Sequence, residues 1–145
     1  MTNDDARAAL ERLVIDFTGA FNREDLDAVM SCFAEGALYD EFNGIRSIGK
    51  AAIRKAFEPE FAGAYGRMRF HTEDLFLDVA AGKALIRWTL TLEEDSRAGA
   101  YRGLDILHFD AGRLVEKHTY CKAKMPLIRK KAEMVADGSW PPVNT

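Results

Sequence analysis

Apolar residues recur at three- and four-residue spacing through the first third of the chain. Leu10, Leu13, Val14, Phe17 and Phe21 form one such face, the mark of an amphipathic helix. A second helical stretch, "NREDLDAVMSCFAEG", carries Leu26, Val29, Met30 and Phe33 on one side. Asn22 is its expected cap, with Asp25 three residues on, and Gly36 its expected stop. "ALYDEFNG" reads as a short strand and turn. "GKAAIRKAFEPEFAG" reads as a third helix with Ile53 and Phe57 on one face, ended or bent by Pro59.

Beyond residue 66 the period changes to two. In "ALIRWTLTLEE", Ile86, Trp88, Leu90 and Leu92 point one way while Arg87, Thr89 and Thr91 point the other. "RMRFHTEDLFLDV" precedes it as a longer, less regular strand, and two more strands flank "FDAGR". "PLIRKKAEMVADG" suggests a last helix, and "SWPPVNT" a loose terminus. Helices first and an antiparallel sheet afterwards imply an α+β fold with helices over one sheet face. At 145 residues a single domain is expected, with its core over about residues 5–125 and a tail over 126–145.

Asp105 breaks the apolar pattern. It lies between Leu104 and Ile106 in a strand that reads as buried, where a lone carboxylate is costly. Its partner depends on the hairpin register. A three-residue loop, Asp110-Ala111-Gly112, sets Asp105 opposite Lys117 and is the favoured reading. That register puts Leu107, Phe109, Val115, Lys117, Thr119 and Cys121 on the Asp105 face. A two-residue loop, Ala111-Gly112, sets Asp105 opposite His118 instead. Two readings of an Asp105–Lys117 pair stay open: an ion pair that fixes the sheet, or a charged site kept for chemistry. Buried pairs add little net stability, which favours the second.

Charge narrows the partners. The net charge is −3 with scattered basic residues, so no nucleic-acid partner is expected. The acidic, helical N-terminus is unlike a signal peptide, and no stretch is long and apolar enough for a membrane span. A cytoplasmic location follows as the expectation. Cys32 and Cys121 lack metal or redox spacing, and no zinc pattern, P-loop or GxGxxG occurs, so neither metal nor cofactor is expected.

The order and spacing of "FNREDLDAVMSCFAEGA", "IGKAAI" and "GLDILHFDAGRLVEKHTY" resemble the nuclear transport factor 2-like superfamily. It includes ketosteroid isomerases, SnoaL-type polyketide cyclases and limonene epoxide hydrolases. The resemblance implies a cone of curved antiparallel sheet and three helices around an internal pocket. It also implies a homodimer through the outer sheet face. Asp105 stands where the isomerases keep a protonated aspartate that helps bind an oxyanion. Glu41 stands at or beside their general base, with Asp40 the alternative. Phe17 stands where they have a tyrosine, so that hydroxyl is missing. Lys117 and Thr119 stand where the cyclases often carry histidine and an acidic residue.

The implied ligand is a small hydrophobic or carbonyl-bearing molecule, isomerised or cyclised by proton transfer. Asp105 or Glu41 would move the proton, Lys117 would stabilise negative charge, and His71, facing inward, would assist. Phe17, Phe21, Asp40, Phe57, Trp88, Leu90, Leu107 and Thr119 would line the ligand site. A non-catalytic binding module is the alternative. An epoxide-hydrolase-like enzyme ranks last, because alternation turns Arg87 and Arg102 away from the Asp105 face.

Overall fold

Thr2 starts the first helix. Its hydroxyl accepts from the Asp5 amide, and the Asp5 carboxylate accepts from the Thr2 amide. The helix, α1 (Asn3–Asn22), buries Leu10, Val14, Phe17, Ala20 and Phe21, the stripe that the spacing predicts. The computed structural model describes residues 2–122 and 129–142. The second helix is shorter than its sequence pattern suggests. It is α2 (Leu26–Cys32), capped by Asp25 rather than Asn22, and Phe33 already belongs to a strand. Asn22 ends α1 instead. Its amide donates to the Phe70 carbonyl at 2.9 Å and accepts from the Phe70 amide at 2.7 Å, tying the helix to the sheet.

β1 (Phe33–Asp40) and β2 (Arg46–Ile48) form a hairpin, and α3 (Lys50–Phe61) follows. Pro59 sits in the last turn of α3 and does not stop it before Phe61. Then come β3 (Arg67–Asp78), β4 (Lys83–Glu93), β5 (Ala98–Asp110) and β6 (Arg113–Cys121). The strands make one curved, unclosed six-stranded sheet in the order β2-β1-β6-β5-β4-β3. The fold is the expected α+β cone with one local difference: β1 runs parallel to β6, so the sheet is mixed. A short helix, α4 (Lys131–Asp137), falls within the expected C-terminal helix, and residues 126–128 of that stretch lie outside the described part. Among the described residues, no helix is long and apolar enough to cross a membrane.

The β5–β6 register differs from both sequence readings. Asp110 pairs with Arg113, so the loop is the two-residue Ala111-Gly112 with positive φ at both positions. A bulge at Val115 then adds one residue to β6. Asp105 therefore pairs with Thr119, not Lys117 or His118. The favoured reading was two residues out, and a shift of two preserves the face. Lys117 stays on the Asp105 side, now diagonal to it. The bulge has one further effect: Leu114, not Val115, fills the core beside Phe109.

Candidate functional site

Strand alternation brings Trp88, Asp105, Leu107, Lys117 and Thr119 to the sheet face that the helices cover. Asp105 is 6% exposed and Lys117 4%, the two buried charged residues among those described. The Trp88 indole N–H donates to Asp105 Oδ2 at 3.1 Å. Lys117 Nζ donates to Asp105 Oδ1 at 3.2 Å and to Thr119 Oγ1 at 2.6 Å. The Thr119 hydroxyl donates to Asp105 Oδ1 at 2.6 Å. Three donors thus converge on one carboxyl group and engage both of its oxygens. Asp105 here accepts hydrogen bonds and donates none.

Gly103 makes this geometry accessible. It lies across from Trp88 in the β4–β5 ladder, and a Cβ there would come within 2.6 Å of the indole Cη2. The bare backbone lets the indole lie flat enough for its N–H to reach Asp105.

Lys117 Nζ sits 4.5 Å from the centre of the Tyr39 ring, 5.8 Å from Phe57 and 5.9 Å from Phe21. These rings face a buried ammonium with their negative π-faces. Phe17 packs edge-on against Phe21 at 5.1 Å, and Tyr39 stacks on Phe57 at 4.7 Å. Phe17, Phe21, Phe57, Trp88 and Leu107 thus belong to the hydrophobic core, with half-buried Leu90 packed against it.

Sequence reasoning missed two site residues. Tyr39 is buried on β1, and burial pushes its hydroxyl well above the ordinary tyrosine value, so it stays protonated. It brings a phenol to a site where Phe17 has none. The inward alternation of Ala37 and Tyr39 was the available signal. Glu60 lies seven residues after Ile53 and three after Phe57, on the buried stripe of α3. Burial raises its carboxyl, the Lys117 charge partly lowers it, and Glu41 and Asp105 raise it again. Glu41 continues the inward side of β1 and shows the same balance, raised by burial and lowered by Lys117. Glu41 and Glu60 are therefore carboxyls whose protons are held more tightly than usual, the direction of shift that acid–base roles call for.

Two expected members lie elsewhere. Asp40 points to the opposite face, where it meets His118 Nδ1 at 3.2 Å and Arg46 at 3.5 Å. His71 also faces outward, because its neighbours Met68 and Phe70 alternate inward; its Nε2 lies 3.1 Å from Thr91 Oγ1. Arg87 and Arg102 bind Glu73 on that outer face at 3.2 and 3.6 Å, so no arginine stands beside Asp105. The expected internal pocket is almost filled. The cavity between Phe17, Phe21, Trp88, Asp105 and Lys117 measures about 10 Å³, room for one water at most. Among the described residues no cluster of His, Cys, Asp and Glu has metal-binding geometry.

No curated protein matches the chain by sequence. Solved structures do resemble it. One is a proposed polyketide cyclase from Xanthomonas campestris pv. campestris, 18% identical, with TM-score 0.70, covering 79% of this chain and 91% of that one. Another is an NTF2-like protein of unknown function from Mesorhizobium loti, 22% identical, TM-score 0.68, covering 80% and 93%. A third is an epoxide hydrolase/cyclase-like enzyme of pyran-ring formation in the polyether salinomycin, 14% identical, TM-score 0.70, covering 80% and 92%. At such identities these likenesses establish the fold. The model of the SnoaL-like domain matches residues 14–117. With that match spanning most of its length, the chain, whose fold is that of NTF2-like proteins, belongs to the SnoaL-like domain family.

Proposed function

We propose that the chain binds a hydrophobic, carbonyl-bearing small molecule inside the cone and moves a proton on it, in an isomerisation or cyclisation. The observation that carries this reading is the buried Lys117, caged by aromatic rings and flanked by Glu41 and Glu60. Asp105, with its oxygens engaged by Trp88, Lys117 and Thr119, holds the ammonium in place. A ligand carbonyl beside Lys117 and the Tyr39 hydroxyl would gain donors for its developing oxyanion. Glu41 or Glu60, ionised, would take a proton from the carbon next to that carbonyl, giving an enolate. The same carboxyl would return the proton to carbon. The neighbouring folds include a proposed polyketide cyclase and an epoxide hydrolase/cyclase-like enzyme, both in keeping with small-molecule chemistry in the cone.

Ligand entry requires the rings to part, because the cavity is about 10 Å³. The last turn of α3 carries Phe57, Glu60 and Phe61 together, so its displacement would open the site and move an acid–base group at once. The full engagement of Asp105 favours a second reading, a binding module without turnover.

The outer sheet face is the proposed seat of a second copy. Phe76 and Tyr120, 61% and 55% exposed, share it with half-buried Leu85, Leu104 and Ile106.

Loss of α-protons from 2-tetralone in D2O, followed by proton NMR, tests the reading. Wild type should accelerate exchange. Lys117→Met should lose a factor of about 10²–10³, as for other oxyanion donors. The double change Glu41→Gln with Glu60→Gln should lose about 10²–10⁴. Binding without acceleration would establish the module instead.

A further inference from the structure

The outer face of the sheet carries a second concavity, far from the cone interior. β3, β4 and β5 run on past the end of β6, whose last paired residue is Cys121 opposite Gly103. On this extension lies an open groove of about 450 Å³. Arg67, Arg69 and His71 line it from β3, and Thr91 from β4. Its remaining lining is Leu92 and Glu93 of β4 and Ala98, Gly99 and Ala100 of β5.

The register explains the shape. Arg69, Thr91 and Ala100 form one cross-strand row, and Arg67, Glu93 and Ala98 the next. The first row ends on the small Ala100 beside Thr91 and the second on the small Ala98 beside Glu93, so space stands over the β5 end of each row. The β4–β5 turn holds the small-residue wall in place: the Arg97 guanidinium binds the Glu94 carboxylate through two nitrogens, at 2.9 and 3.1 Å.

The arginines of this groove differ from others on the same face. Arg46, Arg87 and Arg102 are each engaged by a carboxylate. Among the described residues, Arg67 and Arg69 make no ion pair within 4.0 Å, even though Glu93 lies directly across the ladder from Arg67. The His71 ring contacts the Thr91 hydroxyl through Nε2 at 3.1 Å, which leaves its other nitrogen for a ligand. Two guanidinium groups, an imidazole and a hydroxyl thus line the groove beside the single carboxylate of Glu93, and guanidinium forks are the donors suited to an oxyanion.

We propose that this groove binds the oxyanion head group, carboxylate or phosphate, of a small molecule. The site is separate from the cone and independent of any chemistry there. The guanidinium forks take the oxygens, and the floor of Ala98 and Ala100 receives the apolar body attached to the head group.

Benzoate, phenyl phosphate and inorganic phosphate, titrated separately and followed by amide NMR shifts, test the proposal. At least one should bind saturably, with shifts centred on residues 67–71 and 98–100. Tighter benzoate identifies a carboxylate ligand, and tighter phenyl phosphate a phosphate ester. Equal binding of inorganic and phenyl phosphate identifies free phosphate; all three uphold the oxyanion site. Arg69→Gln should weaken binding by at least about tenfold, the worth of one charge-assisted bond. Ala100→Leu should weaken binding of the aromatic probes with the charge unchanged. Arg54→Gln, an equal charge change on α3, should leave it intact. Absence of saturable binding by all three probes overturns the site, as does equal weakening by Arg54→Gln and Arg69→Gln.

Discussion

Lys117 draws its surroundings into a single unit. Its charge is opposed by Asp105, screened by Tyr39, Phe21 and Phe57, and felt by Glu41 and Glu60. Glu60 gives a direct handle on this balance. Burial raises its folded-state affinity for a proton above that of an ordinary carboxyl, 4.5. Below that pH the group is protonated in both states and costs nothing. As pH rises, the folded chain must surrender a proton it holds more tightly than the unfolded chain does, and stability falls. Glu60→Gln removes this cost. Its melting temperature relative to wild type should be flat below about pH 4.5 and climb above it, as read in thermal melts from pH 4 to 8. Asp105 was legible as a buried charge because it interrupts an apolar strand, and Lys117 because alternation places it on the same face. Tyr39 and Glu60 were less so, since a tyrosine in a strand and a glutamate beside a proline both resemble ordinary surface or core. The inward His71 came from the family resemblance alone, whereas Met68 and Phe70 in its own strand fix its side outward.

Among the elements, the β5–β6 hairpin shows where a sequence pattern stops short. Gly112 fits either a three-residue or a two-residue loop, and Val115 is as apolar as Leu114, so the pattern carries no mark of the bulge. The face assignment survived because errors of two residues leave side chains on the same side. The turn itself is suboptimal. Ala111 holds φ 49°, a left-handed conformation that asparagine tolerates better. Ala111→Asn creates the Asn-Gly pair that this turn type prefers, and should add about 1 kcal/mol in denaturant unfolding. The helices were more legible, since a buried stripe repeats through α1 and α3. Their ends were not: Asp25 outcompetes Asn22 as cap because Asn22 is engaged with Phe70.

For the whole molecule, the sheet divides two sorts of surface. Its helix-covered face holds the aromatic lining and the buried charges. Its outer face holds an apolar centre of Phe76, Leu85, Leu104 and Ile106, flanked by Asp40, His118, Arg87 and Glu73. The proposed second copy covers that centre. Phe76→Glu should then shift the sedimentation coefficient from dimer to monomer while the melting curve stays cooperative. Alternation made both faces readable as partly apolar, but sequence alone could not say how tightly the interior closes. Packing of rings from α1, α3, β1, β3 and β4 decides that, and it leaves about 10 Å³.

The central claim is that Asp105 and Lys117 are held for chemistry rather than for architecture. A stability cycle with Asp105→Asn, Lys117→Met and the double variant, each also assayed for 2-tetralone exchange, tests it most directly. Each single change strands a buried group and should cost about 3–5 kcal/mol. The double variant should regain wild-type stability or exceed it, since a buried ion pair adds little over neutral neighbours, yet it should lose exchange. A double variant that remains several kcal/mol below wild type, or one that keeps full exchange activity, would contradict the account.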